Sequence, residues 1–229
     1  MLGNRTLPRP LFRCDSFEFF LSYELSFDHH RHLVAPLSLP KEEVLTIFRQ
    51  TNALLEGHFQ LTSGLHSPQY FQCARVLQYP KYLHLFAGEI AKHFEYSDVE
   101  VVISPAIGGL VVGTEVGRLL SARTMFTERK EGKMELRRGF ELRPGERALV
   151  VEDVVTTGGS VFEVVDIVKK ADARLSGVGY VVDRSNGQIE FGAKYFSILQ
   201  LEVVTYKPES CPLCQQGSSP VKPGSRGNY

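Results

Sequence analysis

Residues 148–160 hold side chains whose types and order could do chemistry together. Leu149, Val150 and Val151 form a short apolar stretch that reads as a buried parallel strand. Glu152 and Asp153 follow at its carboxyl end, and two adjacent carboxylates suit a pair of sugar hydroxyls or a hydrated metal ion. Val154 and Val155 lead into Thr156, Thr157, Gly158, Gly159 and Ser160, a hydroxyl- and glycine-rich turn. Beyond it Val161, Val164, Val165 and Val168 fall at helical spacing. A turn of this kind at a helix amino terminus offers unpaired N–H groups and a positive dipole end to an anion. An anion site beside a diol site describes a ribose 5-phosphate. Two rival phosphate loops fit less well. No lysine follows the glycines as a Walker loop requires, and the Gly-x-Gly-x-x-Gly of dinucleotide sites is absent. An ordinary strand-to-helix turn with two surface acids would not call for all four parts in this order.

The elements that must position this run can be read from the pattern around it. A helix is expected from Pro40, with Glu42 and Glu43 in its first turn, Val44, Ile47, Phe48 and Leu55 on one face, and Gly57 at its end. Residues 58–75 read as strands and turns. A second helix carries Leu83, Phe86, Ile90 and Phe94. Strands are then expected at 99–104, 123–128, 148–152, 177–183 and 195–203, with helices at 110–120 and 161–171. This alternation predicts an α/β fold, a parallel sheet flanked by helices on both faces. Ser104, Glu128, Glu152 and Asp183 all end strands, so they converge on the carboxyl edge where such sheets bind ligands. The charged segment 130–147 is expected to be either a floppy connection or a lid. The tail after Lys207, rich in Pro, Gly and Ser, is expected to lack regular structure.

The chain has 229 residues, 43% hydrophobic and 23% charged, which is enough for one sizeable soluble domain with appendages. Lys+Arg and Asp+Glu both number 26, and this balance argues against a nucleic-acid binder. No apolar run approaches the roughly 20 residues of a membrane span, and Glu18 and Glu24 interrupt the most hydrophobic early stretch. Residues 1–37 read as a disordered extension, with Arg5, Arg9 and Arg13 among prolines and His29, His30 and His32 clustered. The next methionine after Met1 is Met125, so a start between them would need a non-standard codon. Cys14, Cys73, Cys211 and Cys214 do not form a disulfide framework, and a reducing cytoplasm is expected. Cys211 and Cys214 have the spacing of half a zinc site, but no second Cys or His pair follows them, so a complete site within one chain is not expected.

Four motifs resemble the type I phosphoribosyltransferases, and among them the orotate-specific branch, over about residues 41–229. His58–Gly64 with His66–Phe71 is similar to the amino-terminal hood motif, and Ser104–Gly109 to the diphosphate loop. Glu128–Lys133 is similar to the mobile basic loop, and Glu152–Ser160 to the ribose-phosphate motif. The resemblance implies a hood at about 38–80, a core at about 81–205 and a tail at 206–229. It implies transfer of ribose 5-phosphate from phosphoribosyl diphosphate to orotate in pyrimidine synthesis, with Lys133, Asp153 and Glu152 as catalytic residues. Phosphoribosyl diphosphate would be held by Arg129, Lys130, Lys133 and the run Glu152, Asp153, Val154, Val155, Thr156, Thr157, Gly158, Gly159 and Ser160. Orotate would meet Thr156, Arg184, Tyr70 and Phe71, with Arg184 for its carboxylate. Mg²⁺ is implied, carried by the substrate with no direct protein ligand. A cytoplasmic homodimer with shared active sites is implied too.

The chain departs from many members at three positions. Thr62 and Gly108 stand where lysines are frequent, and Glu135 stands where histidine is frequent. The ending around Cys211, Cys214 and Lys222–Arg226 is similar to that of one bacterial subset that shares these changes. Two other functions compete, transfer to another base such as a purine, and a regulator of the same fold that senses phosphoribosyl diphosphate.

Overall fold

The computed structural model describes residues 39–61, 63–185, 187–202 and 204–223. The leader with its arginines and histidines, Thr62, the end of the last expected strand at Val203 and the tail from Gly224 onward lie outside the described residues.

The first helix, α1 (Lys41–Gln50), buries Val44, Leu45, Ile47 and Phe48, with acids in its first turn and Arg49 in its last, as the helix dipole favours. It ends seven residues before Gly57. Asn52 adopts a left-handed backbone (φ 53°), and the chain turns into strand β1 (Leu54–Gln60). Leu55 and Gly57, expected on and after the helix, therefore belong to a strand. β1 pairs antiparallel with β2 (His66–Phe71), with a register shift between Glu56 and Phe59. This bulge lets consecutive residues His58 and Phe59 both be buried, against the alternation of a regular strand.

A short helix α2 (Ala74–Leu77) leads into α3 (Pro80–His93), whose Pro80 occupies the first turn. Next come β3 (Val101–Pro105), α4 (Gly108–Leu119), β4 (Arg123–Lys130), β5 (Lys133–Leu136), β6 (Arg147–Val155), α5 (Gly159–Lys170), β7 (Arg174–Asp183) and β8 (Tyr195–Gln200). Six strands form one sheet in the order β5-β4-β3-β6-β7-β8, parallel except for β5. Side-chain alternation divides the core between the two faces. Val102, Leu149, Val151 and Val181 pack with Phe48, Phe86, Ile90, Val112 and Val116. Val101, Ile103, Val150 and Val178 pack with Val161, Val164, Val165 and Val168. Among the described residues no helix is long and apolar enough to cross a membrane.

The segment 130–147 takes a definite form, and the expectation that the tail lacks regular structure is corrected. The segment 130–147 opens as a hairpin, with Lys130 opposite Lys133 and Glu131 (φ 49°) and Gly132 (φ 84°) at its tip. That pair of positive φ angles is the two-residue turn that matches strand twist. The tail is ordered as well. A 3-10 turn (Pro208–Ser210) precedes α6 (Pro212–Gln215). Tyr206 exchanges two 2.8 Å backbone hydrogen bonds with His66, while Val221 accepts from Gln60 N–H and donates to the His58 carbonyl, each at 2.8 Å. The composition of the tail hid these partners because they lie far away in sequence.

Candidate active site

Strand order reverses between β3 and β6. From β3 the chain crosses to β4 on one side, and from β6 it crosses to β7 on the other. Ligands of open α/β sheets bind at such a point. The loop leaving β3 is pressed onto the acid pair of β6. A Cβ on Gly109 would stand 2.7 Å from the Val151 carbonyl and 2.9 Å from Glu152 Oε1. A Cβ on Gly108 would collide with the Asp153 carboxylate. Only glycine fits this approach, which brings the Gly109 N–H to the Glu152 carboxylate as a donor.

Glu152 is buried and Asp153 half-buried. Burial, then the neighbouring Asp153 charge, pushes the Glu152 carboxyl well above the usual carboxylate range. Burial also raises Asp153. The Asp153 N–H donates to Glu152 Oε1 at 3.0 Å and the Val154 N–H to Asp153 Oδ1 at 2.9 Å. None of these partners is a cation, so the pair favours any positive charge placed beside it.

Past the acids, Val155 ends β6 and Thr156 and Thr157 are exposed. Gly158 takes a left-handed conformation (φ 73°) and α5 begins without a side-chain cap. Its first N–H groups are thus left for an anion. Residues Thr156–Val161 line a cavity of about 220 Å³ with Glu152, Val154, Val155, Arg129 and Glu163. Sequence reasoning missed Glu163. It lies off the buried face formed by Val161, Val164, Val165 and Val168, so the helical pattern carries no signal for it. Arg129 Nη2 donates to Glu163 Oε1 at 2.7 Å and Nη1 to Oε2 at 3.1 Å. The Met134 N–H donates to Glu163 Oε2 at 3.0 Å, so this one carboxylate docks the β4–β5 hairpin on α5. Lys130 and Lys133 stand exposed at the hairpin tip and do not line the cavity. Glu128 is held by a two-pronged pair with Arg138, both contacts 2.8 Å.

Arg184 leaves β7 just past Asp183. The buried Asp183 carboxylate accepts from Ser185 N–H at 2.7 Å and Ser185 hydroxyl at 2.6 Å, which fixes the turn that carries Arg184. Burial lowers the guanidinium's pKa, while Tyr70 and Cys73 nearby act in the opposite sense. Arg184 Nε is buried and makes no hydrogen bond among the described residues. A buried, unpartnered cationic donor is costly and calls for an acceptor. Tyr70 packs against Phe59 with ring centroids 5.8 Å apart. Phe71 does not share that environment. It is 4% exposed, in the core against Phe48, so it is a packing residue rather than a wall of the site.

A phosphoribosyl transferase domain model matches residues 75–211. The chain belongs to the phosphoribosyltransferase family. Among the phosphoribosyltransferases it is 59% identical to the orotate phosphoribosyltransferase of Chlorobaculum parvum over 190 residues, 83% of this chain and 98% of that one. It is 54% identical to that of Desulforamulus reducens over 186 residues, 81% of this chain and 97% of the relative. The fold is similar to the crystal structure of orotate phosphoribosyltransferase from Aeropyrum pernix, with a TM-score of 0.60 and 22% identity over 69% of this chain and 94% of that one. In this phosphoribosyltransferase the acid pair, the Thr156–Ser160 turn and the Gly108–Gly109 loop meet at one sheet edge, and Arg184 lies beside Tyr70 of the hood and Cys73.

Proposed function

We propose that this phosphoribosyltransferase joins orotate to ribose 5-phosphate, drawn from phosphoribosyl diphosphate, in pyrimidine synthesis. The observation that carries the choice of base is Arg184, whose buried Nε–H has no acceptor among the described residues and lies beside Tyr70. An anionic planar base supplies the carboxylate that a guanidinium fork matches, whereas a neutral purine does not. The orotate phosphoribosyltransferases of Chlorobaculum parvum and Desulforamulus reducens, similar over most of their length, support the same reading.

The 5-phosphate occupies the Thr156–Ser160 turn at the amino end of α5. The ribose hydroxyls donate hydrogen bonds to the carboxylates of Glu152 and Asp153. The diphosphate lies along the backbone of Gly108 and Gly109, with Arg129, Lys130 and Lys133 as the cations that meet its charge. The orotate ring nitrogen bonds to C1′ as the C1′–O bond breaks. Diphosphate leaves with the bonding electrons, and the ring N–H proton goes to solvent. Positive charge that builds on the ribose is stabilised by the carboxylates of Glu152 and Asp153, which have no cationic partner among the described residues. Mg²⁺ held by the substrate would neutralise diphosphate charge, and the hard oxygens of Glu152 and Asp153 fit it through its water. The protein acts in the cytoplasm as a homodimer in which the hairpin of one chain serves its partner's site.

The test follows the ultraviolet absorbance of orotate with phosphoribosyl diphosphate, Mg²⁺ and the protein, with uracil, adenine and hypoxanthine in parallel. Consumption of orotate alone is the expected result. Turnover of another base would overturn the role given to Arg184, and turnover of none would overturn the activity.

A further inference from the structure

The Cys-x-x-Cys pair of the tail has two partners, and they come from upstream. His58 of β1, His66 of β2, Cys211 and Cys214 point one ligand atom each into a common space, all four within 4.8 Å of one another. His58 Nε2 lies 3.0 Å from His66 Nδ1, 3.5 Å from Cys211 Sγ and 3.8 Å from Cys214 Sγ. Cys214 Sγ lies 3.4 Å from His66 Nδ1. A tetrahedral zinc ion with ordinary bond lengths sets its nitrogens about 3.3 Å apart and each nitrogen about 3.6 Å from a sulfur. The observed separations are close to these edges.

Proton counting favours an ion over a web of hydrogen bonds. His58 Nδ1 lies 3.0 Å from the Ser218 carbonyl, which can only accept, so the proton of this ring sits on Nδ1. In the neutral ring Nε2 is then a bare lone pair, and three polar atoms converge on it. One lone pair serves one donor, whereas a cation at the centre of the four serves all of them. A backbone carbonyl on the far nitrogen of a ligating histidine is the usual way its tautomer and ring plane are fixed. His58, His66 and Cys211 are buried, so the space is shielded from competing water.

We propose that His58, His66, Cys211 and Cys214 bind a structural zinc ion that fastens the tail to the hood hairpin. Two thiolates and two imidazoles in a closed tetrahedron are a zinc donor set, without the open position a catalytic metal needs. The backbone reaches the same end. The bulge in β1 buries His58, and Tyr206 and Val221 pair with the hairpin on either side of the metal ligands in sequence.

The experiment takes the full chain, purified under reducing conditions without chelators, and measures its metal content. About one zinc per chain is expected, lost in the Cys211→Ser, Cys214→Ser double variant and kept in Cys73→Ser. The intact protein, stripped of metal and titrated with Co²⁺, should develop visible bands of a tetrahedral ion and a near-ultraviolet thiolate charge-transfer band. This arm does not depend on a variant that folds. Absence of metal with no Co²⁺ spectrum on reduced protein would overturn the proposal. Zinc retained by a folded double variant would overturn it equally.

Discussion

Glu163 receives both terminal nitrogens of Arg129, at 2.7 and 3.1 Å, and so engages the one basic side chain of the hairpin that lines the cavity. The pair is about two-fifths exposed on each side, and pairs of this kind are worth about 0.2–1 kcal/mol. A diphosphate that recruits Arg129 must first displace it. Glu163→Gln keeps an oxygen for the Met134 N–H and removes the competing charge. The KM for phosphoribosyl diphosphate should fall about 1.4- to fivefold by the same energy. Steady-state kinetics decides, and an unchanged KM would place Arg129 outside the diphosphate grip.

Arg184→Ala should raise the orotate KM selectively. The lost charge-assisted contact, about 1.5–3 kcal/mol, corresponds to roughly 10- to 150-fold. The KM for phosphoribosyl diphosphate should stay within about twofold, on the same reasoning that the contact touches only the base. Equal effects on both substrates would contradict the assignment.

The acid pair makes function and stability pull apart. A buried carboxyl with a raised pKa keeps its proton in the folded chain after the unfolded chain has lost it. Stability is then greatest below the ordinary value of 4.5 and falls as pH rises from there toward the raised pKa. Glu152→Gln removes that loss. It should stabilise the ligand-free protein by roughly 1–3 kcal/mol at neutral pH, with little change at pH near 4. Turnover should fall roughly 100-fold, as when a preorganised electrostatic group is deleted. Thermal melts across pH with parallel assays test both halves, and a destabilised variant at neutral pH would refute the first.

Gly108 cannot carry a side chain without moving Asp153. Gly108→Ala should therefore lower turnover and cost roughly 1–3 kcal/mol of stability through overpacking. Gly108→Lys should impair the enzyme as well. A gain in activity from the lysine would show that the acid pair yields easily.

Lys130 and Lys133 sit at an exposed tip outside the cavity, and the proposed homodimer has them serve the second subunit. An inactive Lys133→Ala chain mixed with an inactive Asp153→Asn chain should regain part of the activity through hybrid sites. No recovery, once subunit exchange is shown, would return the hairpin to its own chain's site.

Legibility of the fold followed the range of the physics. The strands and helices of the core repeat their apolar residues locally, so β3, β4, β6, β7, β8 and α3 to α5 were readable to within a few residues. Helix α1 was overextended because Leu55 keeps the phase of Phe48, and nothing in that periodicity reports that Asn52 takes a left-handed turn. The hairpin was hidden by its charge, although Glu131-Gly132 is a turn signal flanked by paired strands. In the site, the acid pair and the glycine turn were legible as a local run. Arg184 was not, since one arginine after a strand has no pattern, and its role came from resemblance. Glu163 and the two histidine partners of Cys211 and Cys214 depend on contacts between distant segments, which spacing rules do not see.

The tail strands bear on the order in which the molecule assembles. Tyr206 and Val221 hydrogen-bond to His66 and Gln60, so the hairpin of β1 and β2 is flanked by backbone made after the whole sheet. A two-stranded ribbon is at best marginal on its own in water. On the ribosome the emerging hairpin must wait through synthesis of the sheet before these neighbours arrive. The hairpin that bears Tyr70 therefore gains its last backbone neighbours only once residues 206–221 exist.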